Sequence, residues 1–70
     1  MKLSARNQLK GKIVSIEPGS VNAVVTLDIG GGNHITSMIT MNSVNSLGLA
    51  VGGEAYAVIK ASSVMIGVED

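Results

Sequence analysis

The segment between residues 20 and 30 constrains the fold more than any other stretch of the chain. Every odd position from 21 to 29 is apolar, whereas most of the even positions are polar. Alternation with a period of two is the pattern of a β-strand with one buried face. Gly30-Gly31-Gly32 ends this strand, and residues 33–40 resume a β-branched, partly alternating pattern. The sequence therefore predicts two antiparallel strands joined by a hairpin.

Three consecutive glycines are also found in phosphate-binding loops. Such a loop needs a Lys-Ser or Lys-Thr pair and a helix directly after it, and this chain has neither. We therefore interpret the glycines as a hairpin loop.

A first strand is predicted at residues 9–17, where β-branched residues dominate the second half. Glu17-Pro18-Gly19-Ser20 then predicts a turn into the second strand. Proline presets φ at the second position of a type II turn, and Gly19 would supply the positive φ at the third.

A short helix is predicted after the third strand. Thr40 has the side chain of an N-cap, and Gly48 is a natural residue just past the C-terminal end. Met41, Val44 and Leu47 follow at helical spacing, and we interpret them as core contacts.

The rest of the chain predicts two more strands. Residues 55–60 and residues 64–68 alternate, and the polar break Ala61-Ser62-Ser63 separates them. Three strands, a short helix and two strands predict an all-β fold, a five-stranded OB-type Greek-key barrel with one short helix between strands three and four. An irregular small β-sandwich is the alternative.

The core of this fold is expected to be small. Seventy residues make a single domain, 1–70, with one Tyr and no Phe or Trp. A chain of this length buries only about 60% of its unfolded surface, so it needs further stabilisation. Because there is no Cys to form disulfides, we expect a homo-oligomer.

Composition argues against catalysis and cation binding. His34 is the single imidazole, and the carboxylates are scattered without ligand spacing. We therefore expect neither an enzyme nor a metal cation site. No signal peptide or membrane span is apparent, so we expect a cytoplasmic protein with no membrane partner.

A single-stranded nucleic-acid-binding module is the alternative function, because OB folds often bind such strands. That function uses aromatic platforms and a basic groove. The chain offers Tyr56 alone and a formal net charge of zero, so no nucleic-acid partner is expected.

Two runs rich in hydrogen-bond donors indicate an anion site instead. The first is Ser4-Ala5-Arg6-Asn7, and the second is Lys60-Ala61-Ser62-Ser63. Guanidinium, ammonium, hydroxyl and amide groups all donate, which suits an oxyanion that carries no proton. We therefore expect the two runs to meet in space. The alternatives are an ion pair of Arg6 with Glu69 or Asp70, and an ordinary turn at Ser62-Ser63.

The chain also resembles the Mop family of molybdate-binding domains, the molbindins, from Leu3 to Ile66. Three stretches carry the resemblance: Ser4-Ala5-Arg6-Asn7-Gln8-Leu9-Lys10-Gly11, Gly19-Ser20-Val21-Asn22-Ala23 and Ile59-Lys60-Ala61-Ser62-Ser63-Val64. Val24 is a departure, because the family often has an acidic residue there.

The resemblance implies an OB-type subunit in a homohexamer built as a trimer of dimers. It implies intracellular storage or buffering of molybdate or tungstate, held at subunit interfaces. Ser4, Ala5, Arg6 and Asn7 would come from one subunit, and Lys60, Ala61, Ser62 and Ser63 from its neighbour. A second oxyanion site is expected near a symmetry axis, around Ser20, Val21 and Asn22.

Overall fold

The computed structural model describes all 70 residues and contains four antiparallel strands, one short α-helix and one 3-10 turn. The elements in chain order are β1 (Asn7–Pro18), β2 (Asn22–Gly30), β3 (Asn33–Thr40), α1 (Met41–Ser46), β4 (Glu54–Ile59) and the 3-10 turn (Ala61–Ser63). The order of strands in the sheet is β3-β2-β1-β4. The predicted all-β class and the position of the helix between the third and fourth strands are confirmed.

Strand β1 belongs to both halves of the sheet. Residues 7–12 pair with β4, and residues 12–18 pair with β2. The register with β2 slips between Ile13 and Ser15, where β1 has a bulge. Gly11 lies close to β2, because a Cβ built there would lie 2.7 Å from the Asp28 carbonyl oxygen. A bulge and a close backbone approach bend a strand, and the sheet curls as an OB-type fold requires.

The core lies inside this curl and is small. It consists of five buried apolar residues: Ile13, Ala23, Val25, Leu27 and Val44. Three of them occupy odd positions of β2, as the alternation predicts. Helix α1 contributes the fifth, so the helix covers one opening of the curled sheet. Five buried residues out of 70 leave a single chain with little apolar stabilisation.

The two hairpins differ in how they use glycine. Between β2 and β3, Gly31 and Gly32 have φ angles of 62° and 79°, and a type I′ turn requires positive φ at both central positions. Between β1 and β2 the hairpin forms as predicted, but the type II turn is wrong, because Gly19 does not have a positive φ. Gly19 is instead needed for space, since a Cβ there would lie 2.6 Å from the Asn22 carbonyl oxygen.

Helix α1 begins and ends as predicted. The Thr40 hydroxyl oxygen accepts from the Ser43 backbone N–H at 3.1 Å, and Gly48 has a φ of 64°. Val44 is buried, but the prediction that Leu47 is a core contact is wrong, because Leu47 is 68% exposed. Leu47 is the C-cap residue of α1, and it lines the open apolar groove rather than the core. No helix of the structure has the length and apolar character needed to cross a membrane.

The predicted fifth strand is wrong for the isolated chain. Residues 64–70, the C-terminal tail, have no regular secondary structure. The 3-10 turn carries the tail away from the sheet, where it meets no strand to pair with, and Ile66 and Val68 are 88% and 89% exposed. Strands β3 and β4 therefore each keep a free edge. An apolar groove of about 460 Å³, lined by residues of both strands, separates them.

Candidate oxyanion site

The two donor-rich runs lie side by side at one end of the β1–β4 ladder. Asn7 pairs with Ile59, so the residues just before β1 and just after β4 leave the sheet as neighbours. Together they line a cavity of about 330 Å³, formed by Ser4, Ala5, Arg6, Lys60, Ala61 and Ser62. We call this cavity the donor pocket. In a single chain the two runs already line one cavity, and the arrangement that the resemblance implies, with one run from each of two subunits, stays a prediction.

The donor pocket carries positive charge without compensation. Arg6 and Lys60 both line it, and no carboxylate does. The single ion pair of the structure joins Lys10 to Glu54 at 3.4 Å, so neither pocket cation is paired with an acidic residue. The alternative use of Arg6 in an ion pair with the acidic C-terminus is therefore absent. Two free cations and two serine hydroxyls make the pocket suitable for an anion.

The backbone adds further donors. The N–H groups of Arg6 and Lys60 donate to no backbone carbonyl. A polar group without a protein partner is satisfied by water or by a ligand. Both residues can therefore offer a backbone N–H as well as a charged side chain.

The donor pocket is open on one side. Five of its six residues are exposed, and Ala5 alone is half-buried. At about 30 Å³ for each water molecule, its volume corresponds to roughly ten waters, which is far more than one small anion displaces. A single chain thus supplies one side of a site and leaves the other side to solvent or to a second molecule.

Two residues of the predicted site stand beside the donor pocket rather than in its lining. The Asn7 side-chain Nδ2 donates to the Ile59 carbonyl oxygen at 3.3 Å. The Ser63 backbone N–H donates to the Lys60 carbonyl oxygen at 2.8 Å, as part of the 3-10 turn. The turn interpretation of Ser62-Ser63 is therefore correct in part, because Ser62 also lines the pocket.

The second predicted site lies in the β1–β2 hairpin, apart from the donor pocket. Ser20, Val21 and Asn22 are all exposed there. The Val21 and Asn22 carbonyl oxygens accept from the backbone N–H groups of Met41 and Gly19, both at 2.8 Å. No cavity is formed at these residues in one chain.

One residue that the sequence-based site left out contacts the pocket lining. The Gln8 side-chain Nε2 donates to the Ala5 carbonyl oxygen at 2.9 Å. Its position directly after the first donor run was the one available signal, because no motif distinguishes a carboxamide that binds a ligand from one that holds a loop.

The residues that would serve the alternatives to an anion site, which are a metal site, a catalytic site and a nucleic-acid surface, are not grouped together in the structure. No group of three or more His, Cys, Asp or Glu residues is placed to hold a metal ion. His34 is exposed and lies opposite Asp28 near the β2–β3 hairpin. Tyr56 is the single aromatic side chain and is 48% exposed on β4.

Comparison with known proteins agrees with this geometry. The TOBE domain matches residues 3–66. The chain belongs to the TOBE domain family. It is 67% identical over 69 residues to a probable molybdenum-pterin-binding protein of Haemophilus influenzae, with 99% of this chain and 100% of that protein covered. The expected similarity to Mop proteins is confirmed.

Solved structures of the TOBE family have the same fold. MopII from Clostridium pasteurianum superposes with a TM-score of 0.89 and 52% identity, over 96% of this chain and 100% of MopII. The cytoplasmic molybdate-binding protein ModG, in a form with molybdate bound, superposes with a TM-score of 0.92 and 55% identity. The match covers 99% of this chain but 49% of ModG. None of these proteins is named for an enzymatic activity, in agreement with the prediction of a binding protein.

Proposed function

We propose that this TOBE domain binds molybdate or tungstate in the donor pocket. The observation that carries the proposal is a pocket lined by two unpaired cations and two hydroxyls, with no carboxylate. The names of its relatives, which refer to molybdenum-pterin or molybdate, support the same ligand class.

The chemistry of the pocket fits a tetrahedral dianion that carries no proton. Such an ion only accepts hydrogen bonds, and Arg6, Lys60, Ser4 and Ser62 can all donate. Phosphate usually carries a proton near neutral pH, and the lining has no carboxylate to act as a charged acceptor for that proton. Sulfate has the same charge as molybdate but is smaller, so a pocket that closes around the larger ion would hold it less well.

Each pocket residue has a distinct role in this proposal. The Arg6 guanidinium supplies a planar pair of donors and a permanent charge, and Lys60 supplies a second charge. Ser4 and Ser62 rotate their hydroxyls to donate, and the backbone around Ala5 and Ala61 completes the shell. Asn7 and Ser63, which stand beside the pocket, contribute by holding its two sides. The hairpin residues Ser20, Val21 and Asn22 would form the second class of site.

A homo-oligomer completes the sites. The donor pocket is open on one side, and the groove between β3 and β4 and the exposed C-terminal tail leave apolar surface uncovered. A second copy can cover this surface and close the pocket, which couples ligand binding to assembly. We propose a hexamer that is a trimer of dimers. Its task would be cytoplasmic storage or buffering of the oxyanion, and the cytoplasmic description of ModG is consistent with this location.

Titration calorimetry with matched charge variants tests the proposal. Molybdate is expected to bind the wild-type protein and sulfate to bind much more weakly. Arg6→Ala should weaken molybdate binding roughly 10- to 150-fold, because a charge-assisted hydrogen bond contributes about 1.5–3 kcal/mol. Lys12→Ala removes the same charge from an exposed residue outside the pocket and should change the affinity little. Equal effects of the two variants would contradict the assignment of the site.

A further inference from the structure

Gln8 holds the N-terminal side of the donor pocket through a single specific contact. Its Nε2 donates to the Ala5 carbonyl oxygen at 2.9 Å, and this contact is local, since the partners are three positions apart in the chain. Ala5 and Arg6 lie outside the β-sheet, and no backbone hydrogen bond holds the Arg6 N–H. The Gln8 side chain therefore makes the one hydrogen bond that joins the Ala5–Arg6 peptide to β1.

This contact also sets the direction of the peptide. The chain has no cis peptide bonds, so the Ala5 carbonyl and the Arg6 N–H point in opposite directions. With the carbonyl oxygen turned towards Gln8, the Arg6 N–H is turned away from Gln8 and is free to donate. A carbonyl oxygen turned towards a bound oxyanion would repel it, so the same contact prevents an unfavourable orientation.

A similar contact holds the other side of the donor pocket. The next residue along the chain, Asn7, donates its Nδ2 to the carbonyl oxygen of Ile59, directly before Lys60. The two carboxamides at the start of β1 thus each fix a carbonyl oxygen on one side of the pocket. Neither of them lines the pocket itself.

We propose that Gln8 is a positioning residue for oxyanion binding, which acts by fixing the Ala5–Arg6 peptide so that the Arg6 N–H is presented to the ligand. The inference rests on the proposed function, because it assigns a role within the same site. Gln8 itself does not touch the anion. Preorganisation of this kind raises affinity by removing the entropic cost of ordering a segment on binding.

Gln8→Met tests the proposal, because methionine has a similar length and cannot donate. Asn45→Leu is the matched control, since it replaces a carboxamide on the exposed surface of α1, away from the pocket lining. Titration calorimetry with molybdate gives the affinity of each variant. Backbone 15N relaxation, measured without and with saturating molybdate, gives the order parameters of residues 4–6 on the ps–ns timescale.

Gln8→Met is expected to bind molybdate about fivefold more weakly, as the loss of one neutral hydrogen bond implies. The order parameters of residues 4–6 should be lower in the free variant, with the rest of the sheet unchanged, and the difference should disappear when molybdate is bound. Asn45→Leu should match the wild-type protein in both measurements.

Wild-type affinity of Gln8→Met, or lower order parameters over the whole sheet, would overturn the positioning role. If the wild-type protein itself fails to bind molybdate, the proposed function fails. The order parameters of residues 4–6 in the free protein then still decide whether Gln8 orders this peptide, so the two failures are distinguishable.

Discussion

Asn7 lies opposite Ile59 at the last pair of the β1–β4 ladder, and its side-chain Nδ2 donates to the Ile59 carbonyl oxygen at 3.3 Å. This pair is the point from which the two sides of the donor pocket diverge. The residues before Asn7 form one side, and the residues after Ile59 form the other. Arg6 and Lys60 are far apart in sequence, and the pairing of β1 with β4 brings them to the same pocket.

Asn7→Leu removes this donor while keeping the size of the side chain. We expect the free energy of unfolding to fall by about 0.5–1.5 kcal/mol, which is the net contribution of one hydrogen bond. For a domain of this size, each kcal/mol corresponds to roughly 4–8 °C in melting temperature, so a thermal scan can detect it.

The control for Asn7→Leu is again Asn45→Leu, a carboxamide on α1 whose side chain makes no hydrogen bond in the structure. Leucine favours helix more than asparagine does, so this variant should be neutral or slightly stabilising. A melting temperature of Asn7→Leu equal to that of the wild-type protein would show that the contact does not hold the strand ends together.

Arg6→Lys keeps the charge at the donor pocket but loses the planar pair of donors. We expect molybdate affinity between those of the wild-type protein and Arg6→Ala, about fivefold below the wild-type value. Calorimetric titration of all three proteins in one buffer checks this order. Full affinity in Arg6→Lys would mean that charge alone is recognised.

Gly11→Ala places a Cβ 2.7 Å from the Asp28 carbonyl oxygen and 3.1 Å from the Ile29 side chain. Since the nearer atom belongs to the backbone, the strand must shift, and overpacking of this kind costs about 1–3 kcal/mol. Gly67→Ala is the control, because a Cβ there meets no atom within 4 Å. Denaturant unfolding should show a lower free energy of unfolding for Gly11→Ala and no change for Gly67→Ala. Equal unfolding midpoints of the two variants would contradict the close approach of Gly11 to the Asp28 backbone.

Ile66→Ser tests whether the exposed tail belongs to an interface between copies of the chain. Ile66 is 88% exposed, so the variant should leave an isolated chain as stable as before. In an oligomer that buries this side chain, the change costs about 1.5–3 kcal/mol for each copy. Sedimentation velocity over a dilution series should therefore show that the Ile66→Ser oligomer dissociates at a higher protein concentration than the oligomer of the control variant Glu69→Ser, which changes a nearby charged residue. Identical dissociation of the two variants would exclude Ile66 from the interface.

Local sequence patterns predicted most of the fold correctly. The alternation in β2, the glycine hairpin before β3 and the Thr40 cap all depend on neighbouring residues, so the sequence alone specifies them. The type II turn failed because Gly19 is required for its small size near Asn22, and sequence patterns do not distinguish this use of glycine from a positive φ. The fifth strand failed because a strand needs a partner, and in one chain the exposed tail pairs with neither free edge of the sheet.

The sequence predicted the residue types of the candidate site, but not which of those side chains line the pocket. The chemistry of Arg6 and Lys60 indicated an anion, and the structure places both in one pocket. Asn7 and Gln8 have the same functional group and are neighbours in sequence, and both hold carbonyl oxygens rather than line the pocket. That division depends on where β1 begins, which residue types alone do not reveal.

Native mass spectrometry of the purified protein, with and without molybdate, tests the central claim most directly. Sulfate serves as the control anion and tungstate as the second candidate ligand. The proposed function predicts a hexamer that gains discrete molybdate or tungstate masses and no sulfate. A monomer, or an oligomer whose mass does not change with either oxyanion, would contradict it.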